Sequence, residues 1–199
     1  MYLTSKFVVL LMLPVLFLLG CSQPPMKPVP GTEVATESGR VLGVTGDEHV
    51  IHWQDIPFAL PPEGPLRWRA PQPYRNASSD IQPRESTICV QQAGAISDTD
   101  GDIFVGSEDC LYLDVVAPTS ATEQGLPVMF WIHGGGNTSG TKDTYDFSAF
   151  AHDQQVVVVT VNYRLGPFGW LTHPSIQDEA VGLDKSSNFG QLDIIAALE

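Results

Sequence analysis

The sequence predicts an α/β fold, and three observations carry that prediction. Two short runs, Pro127-Val128-Met129-Phe130-Trp131-Ile132 and Val156-Val157-Val158-Val159-Thr160-Val161-Asn162-Tyr163, are nearly continuous apolar text. Strands covered on both faces read this way, because neither face meets water. Between them Phe147-Ser148-Ala149-Phe150-Ala151 has the character of a short helix, and Leu192–Glu199 reads as the opening of another. Strands alternating with helices place the helices over a central sheet. The composition agrees: 43% hydrophobic and 17% charged residues among 199 describe a chain that buries a core.

The first segment is an address. Lys6 precedes an uncharged run from Phe7 to Gly20. That run is short of the roughly 20 residues a membrane-spanning helix needs, and it fits the apolar region of a secretory signal. It ends in Leu18-Leu19-Gly20-Cys21, which resembles the lipobox of bacterial lipoproteins. The resemblance implies a signal peptide over 1–20, cleavage before Cys21, lipidation of that thiol, and a place in the bacterial cell envelope, at the outer membrane or the periplasmic face. An ordinary secretory signal with an incidental Cys is the other reading. Pro24, Pro25, Pro28 and Pro30 then make residues 21–36 read as an extended tether.

Residues 37–199 form the folding part. Gly39–Val44 and His49–Trp53 read as a small hairpin around Thr45-Gly46-Asp47-Glu48. Ile56-Pro57-Phe58-Ala59 runs into Pro61-Pro62 and an irregular loop. Residues 76–107 are polar and weakly patterned, a loop with at most one short strand. Leu111-Tyr112-Leu113-Asp114-Val115-Val116 is the first strand of the larger sheet.

Charge and spacing exclude several classes. Ten Lys and Arg against 23 Asp and Glu give a formal charge of −13, the wrong sign for a nucleic-acid partner or for adhesion to anionic lipid. No short-period repeat is present. The His residues at 49, 52, 133, 152 and 173 show no ligand spacing, and no Cys-x-x-Cys occurs, so no metal site is expected. In an exported chain, Cys89 and Cys110 either bridge or stand as two buried thiols. A bridge would close a loop of about 20 residues, worth roughly 3 kcal/mol of chain entropy.

The chemistry lies in Trp131-Ile132-His133-Gly134-Gly135-Gly136. A buried strand runs straight into three glycines, which turn sharply and let backbone N–H groups approach a ligand. Acyl transfer needs such donors, because its tetrahedral intermediate carries an oxyanion; each donor can be worth about 3 kcal/mol. A glycine loop of this type marks lipases and esterases.

Six ordered blocks then place the chain beside a known family. They are Ile56–Pro62, Leu66-Arg67-Trp68 with Pro71-Gln72-Pro73, Ser107–Val115, Pro127–Gly136, Val159–Gly166 and Asn188–Asp193. The chain resembles the N-terminal portion of type-B carboxylesterases and cholinesterases, which are α/β-hydrolases. The resemblance implies that Gly135 and Gly136 supply oxyanion-hole N–H groups. It implies a Cys89–Cys110 disulfide and an Arg67–Glu108 salt bridge beside it, where two solvated charges are the plainer alternative. His133 is expected to hold the glycine loop. Asn162 and Arg164 match a strand end whose side chains either brace the site or bond within a loop. Asn137, Ser187 and Ile194 depart from the family pattern, which usually has an aromatic, Gly and Gln there.

No Gly-x-Ser-x-Gly occurs in the 199 residues. The resemblance places nucleophile, acid and His, in that order, beyond residue 199. The expectation is therefore a fragment: its parent is a cofactor-free serine esterase acting on a small ester, while the 199 residues alone are inactive. The alternative is a non-catalytic cholinesterase-like binding module or a decayed remnant.

Overall fold

The computed structural model describes residues 26–46, 49–84, 87–93, 103–122, 125–178 and 180–199. Residues 1–20, read from the sequence as a signal peptide, and Cys21 lie outside the described residues. Among the described residues, no helix is long and apolar enough to cross a membrane.

The centre is a six-stranded sheet. Its strands are β1 (Lys27–Pro28), β4 (Val44–Thr45), β5 (Val50–Pro57), β9 (Tyr112–Pro118), β10 (Val128–Ile132) and β11 (Val157–Val161), ordered β1-β4-β5-β9-β11-β10. All neighbours are antiparallel except β10 and β11, which are parallel with Phe130 opposite Val159. A parallel pair needs a crossover, and α1 (Ser148–Gln154) supplies it. Two small sheets flank the centre: β2 (Val34–Thr36), β3 (Gly39–Val41) and β6 (Asp80–Ile81) in one, β7 (Gln91–Gln92) and β8 (Phe104–Val105) in the other.

The sheet separates two cores. On one face Val50, Val116 and Val158 pack with Ala151 of α1, joined by Met129 and Phe147. On the other, Leu111, Tyr163, Leu165 and the Cys89–Cys110 pair pack with Ile194 of α4 (Phe189–Ala196), joined by Phe130 and Trp170. Met129 and Phe130 fall in opposite cores because successive strand residues point to opposite faces. Trp170 closes α2 (Gly166–Trp170), and α3 (Pro174–Gln177) follows it.

Four sequence expectations need correction. The tether ends before residue 36: β1 pairs with β4, and β2 pairs with β3. Pro28 is tolerated because β1 is the outermost strand, where a missing N–H breaks no ladder bond. The hairpin is β4 with β5 only; β3 joins the separate sheet with β2 and β6. Finally, β10 is not covered like β11. Val158 and Val161 are wholly buried, but β10 ends the strand order, and Val128 and Ile132 are 65% and 45% exposed. Among its described residues, the stretch 76–107 holds three two-residue strands rather than one.

Candidate active site

The glycine loop leaves β10 at Ile132 and is exposed from Gly134 to Thr138. Its backbone departs from what side chains allow. Gly135 has φ +112, and a Cβ there would sit 2.0 Å from the Ser139 carbonyl oxygen. Gly136 has φ +60 with open space where a Cβ would stand. Asn137 continues the left-handed turn at φ 62, a conformation Asn tolerates better than most residues. The Gly135 carbonyl accepts from the N–H groups of Thr138 (3.1 Å) and Ser139 (3.2 Å), which closes the turn. Among the described residues, no acceptor faces the Gly135 or Gly136 N–H. Two exposed donors on consecutive residues of a fixed turn are what an anionic oxygen requires.

His133 anchors the entry. It is 3% exposed, its ring stacks on Tyr163 at 4.3 Å between centroids, and its carbonyl accepts from the Tyr163 hydroxyl at 2.8 Å. Nδ1 lies 2.9 Å from the Gly134 carbonyl, so Nδ1 carries the proton and donates. Nε2 is buried with no partner among the described residues. Burial holds the imidazole below the usual histidine range, against the opposing pull of the Gly134 carbonyl. A neutral ring locked by its neighbours is a brace, as the sequence led us to expect. At the apex, the Gly166 N–H donates to the Asn137 carbonyl at 2.7 Å.

Cys89 and Cys110 are joined by a disulfide, with Cα atoms 5.0 Å apart. Arg67 forks onto both oxygens of Glu108, and the pair shares a small crevice with the two cysteines. Glu108 lies above all behind the upward shift of the Arg67 guanidinium. Asn162 and Arg164 both brace. The Asn162 amide accepts from the Lys142 N–H and donates to the Thr87 carbonyl, each at 2.7 Å. Arg164, 3% exposed, donates from its backbone N–H, Nε and Nη2 to the wholly buried Asp193 carboxylate at 3.0, 2.8 and 2.7 Å. Burial pushes the Asp193 carboxyl above its ordinary range, with Arg164 opposing.

One cluster had no signature in the sequence. Lys142, 3% exposed, places its ammonium 3.1, 2.7 and 3.0 Å from carboxylates of Asp55, Asp114 and Asp143. Asp55 stands in the β5 bulge at φ 57, where Asp114 accepts its N–H at 2.8 Å. Burial would lower the Lys142 ammonium, but Asp114, Asp143 and Asp55 raise it well above its ordinary value. One cation cannot neutralise three carboxylates. Burial pushes the Asp114 carboxyl up to about 6, with Lys142 opposing and Asp143 adding a smaller upward push.

Lys142, Asp114 and Asp143 of this cluster line a cavity of about 480 Å³ with His52, Asp146 and Ser148. None of residues 133–140 lines it, and its carboxylates would repel an oxyanion. It contains Ser, His and Asp in the wrong roles for nucleophilic attack. Ser148 gives its proton to Asp146 at 2.5 Å and lies 3.1 Å from His52 Nε2. A triad needs the acid on the His and the base free to take the Ser proton.

The fold and this loop define an α/β-hydrolase, present in its N-terminal part. The profile of the "Carboxylesterase family" matches residues 30–199, and the chain belongs to that family. It is 44% identical over 168 residues to the fumonisin B1 esterase of Sphingopyxis macrogoltabida, covering 82% of this chain and 30% of that protein. It is 42% identical over 170 residues to the para-nitrobenzyl esterase of Bacillus subtilis (strain 168), covering 83% and 33%. A solved thermophilic pNB esterase matches with a TM-score of 0.72 at 38% identity, over 84% of this chain and 34% of that one. The chain thus spans about a third of the length of its relatives.

Proposed function

We propose that these residues are the oxyanion-loop portion of a serine carboxylesterase, R-CO-OR′ + H2O giving acid and alcohol without a cofactor. The observation that carries the reading is the pair of exposed Gly135 and Gly136 N–H groups on a braced turn. They would hold the developing oxyanion, the charge that appears only as the carbonyl is attacked. A binding module has no use for such donors. The nucleophile is assigned outside these residues, because the 199 contain no Gly-x-Ser-x-Gly. A Ser activated by an acid-oriented His would attack the ester and be released by water. The lipobox-like Leu18–Cys21 supports a lipid anchor on Cys21 and an envelope location.

The test has two arms. The enzyme containing this segment should hydrolyse p-nitrophenyl acetate and lose turnover when its elbow Ser becomes Ala; unchanged turnover refutes the reading. Residues 1–199 alone should show none, and any Ser-dependent hydrolysis by them would also refute it. Globomycin-sensitive processing and palmitate labelling, both lost in Cys21→Ala, test the anchor.

A further inference from the structure

The glycine loop has an exit as well as an entry, and the exit is held by a residue outside every motif. Gln91 is 3% exposed. Its Oε1 accepts from the Gly140 N–H at 2.8 Å, and its Nε2 donates to the Gly140 carbonyl at 2.9 Å and the Cys89 carbonyl at 3.0 Å. The amide orientation follows from chemistry. A backbone N–H can only donate and the two carbonyls can only accept, so oxygen and nitrogen cannot be exchanged. One side chain thus pairs with both polar groups of Gly140, as a neighbouring strand would.

Gly140 in turn touches the entry. Its φ is +119, and a Cβ there would lie 2.2 Å from His133 Nδ1 and 2.5 Å from the Gly134 carbonyl oxygen. The backbone at 140 therefore lies against the hydrogen bond that sets Gly134. A continuous chain of contacts runs from the disulfide at Cys89, through Gln91 and Gly140, to Gly134 and the two donors beyond it.

We propose that Gln91 is a positioning residue of the oxyanion loop, fixing Gly135 and Gly136 through Gly140. This rests on the oxyanion reading above. It touches no substrate and acts through the backbone it clamps. The oxyanion exists only in the transition state, so a misplaced loop lowers kcat and spares KM. Displacing reacting groups by about 1 Å can cost about a hundredfold in rate.

Three measurements decide it. In the unmodified chain, both side-chain amide protons of Gln91 should exchange slowly in NMR, unlike those of an exposed Gln. Exchange as fast as an exposed Gln overturns the proposal without any variant. In Gln91→Met, and in Gln91→Glu, which keeps the acceptor and loses both donors, the hydrogen-bonded loop amides of Thr138, Ser139 and Gly140 should exchange faster. The Met variant should speed Gly140 about tenfold or more. The Ala151 and Val157 amides, bonded elsewhere, should hold their rates and report an intact fold. In the esterase containing this segment, kcat should fall between about tenfold and about a hundredfold with KM within about twofold. Unchanged loop exchange overturns the proposal, as does a loosened loop with unchanged kcat. A parent enzyme without any esterase activity would instead overturn the oxyanion reading, leaving the exchange data to decide the clamp.

Discussion

Gly135 and Gly136 are neighbours with the same proposed task, yet the structure predicts different costs for the same methyl group. At Gly136 the φ of +60 is the left-handed region, and a Cβ meets nothing within 4 Å. Gly136→Ala should cost only the left-handed penalty, about 1–2 kcal/mol. At Gly135 the φ of +112 lies beyond that region, and the Cβ would be 2.0 Å from the Ser139 oxygen and 2.7 Å from its carbonyl carbon. Backbone cannot yield as a flexible side chain does, so the turn must open. Opening it breaks the bonds from Thr138 and Ser139 to the Gly135 carbonyl, at about 1 kcal/mol each. With backbone strain of about 1–3 kcal/mol, Gly135→Ala should cost roughly 3–5 kcal/mol locally. The assay is exchange of the hydrogen-bonded loop amides Thr138, Ser139 and Gly140, beside esterase kinetics of the enzyme containing them. Gly136→Ala should retain the loop's protection and most of kcat. Gly135→Ala should lose protection across the loop, and kcat should fall about a hundredfold or more. Equal effects, or a tolerated Gly135→Ala with an unmoved loop, would refute this account of the turn.

Other outcomes follow from the braces. Asp193→Ala leaves the Arg164 guanidinium buried and unpaired, and should cost about 3–5 kcal/mol in urea unfolding. Arg164→Met with Asp193→Leu should recover most of that; a single-variant loss below about 1 kcal/mol contradicts a buried pair. Replacing Cys89 and Cys110 by Ser should lower stability by about 3 kcal/mol, measured against the oxidised chain. Burial lowers the His133 imidazole. Its contribution is therefore full above the ordinary pKa of about 6.5 and is lost as pH falls from there through the lowered folded-state value, because in that window only the unfolded chain takes the proton. His133→Asn should remove that acid-side loss. Asp114, raised to about 6, has the opposite sign. Its contribution is full below about pH 4 and fades as pH rises through about 6, and Asp114→Asn should flatten that slope in stability measured from pH 4 to 7.

The legible part of the fold was the part written in apolar runs. β11 stood out because burial on both faces demands consecutive apolar side chains, and β10 carries the same kind of run although Val128 and Ile132 are exposed at the end of the strand order. The glycine loop stood out because three glycines after a strand are rare punctuation, and Cys89 with Cys110 because a thiol pair in a chain read as exported has few options. Lys142 did not stand out. A lone Lys in polar text reads as solvated, and its partners at 55, 114 and 143 converge only through the bulge of β5. Gln91 hid for the same reason, in a weakly patterned stretch whose clamp on Gly140 spans 49 positions. The positive φ at Asp55 and Trp68 carries no glycine to announce it. Lys27–Pro28 read as tether because proline density describes both a linker and an outermost strand.

The motif therefore supplies the donors, while residues outside it supply their position. Tyr163 holds the entry through the His133 carbonyl, Gly166 holds the apex through Asn137, and Gln91 holds the exit through Gly140. Each bond is worth about 1 kcal/mol, too little alone to fix a loop of glycines against thermal motion. Two of the three arise from one segment, since Arg164 lies between Tyr163 and Gly166. Arg164 is itself pinned by backbone and guanidinium to Asp193 in α4. Helix α4 thus helps set the glycine loop without touching it. Asp193→Ala should consequently do more than lower global stability. At denaturant concentrations where the protein remains folded, it should raise exchange of the Gly166 amide while the Gln91–Gly140 clamp keeps the Gly140 amide slow. If the Gly166 amide holds its native rate in a folded Asp193→Ala chain, α4 supports the sheet alone and has no part in aiming the oxyanion donors.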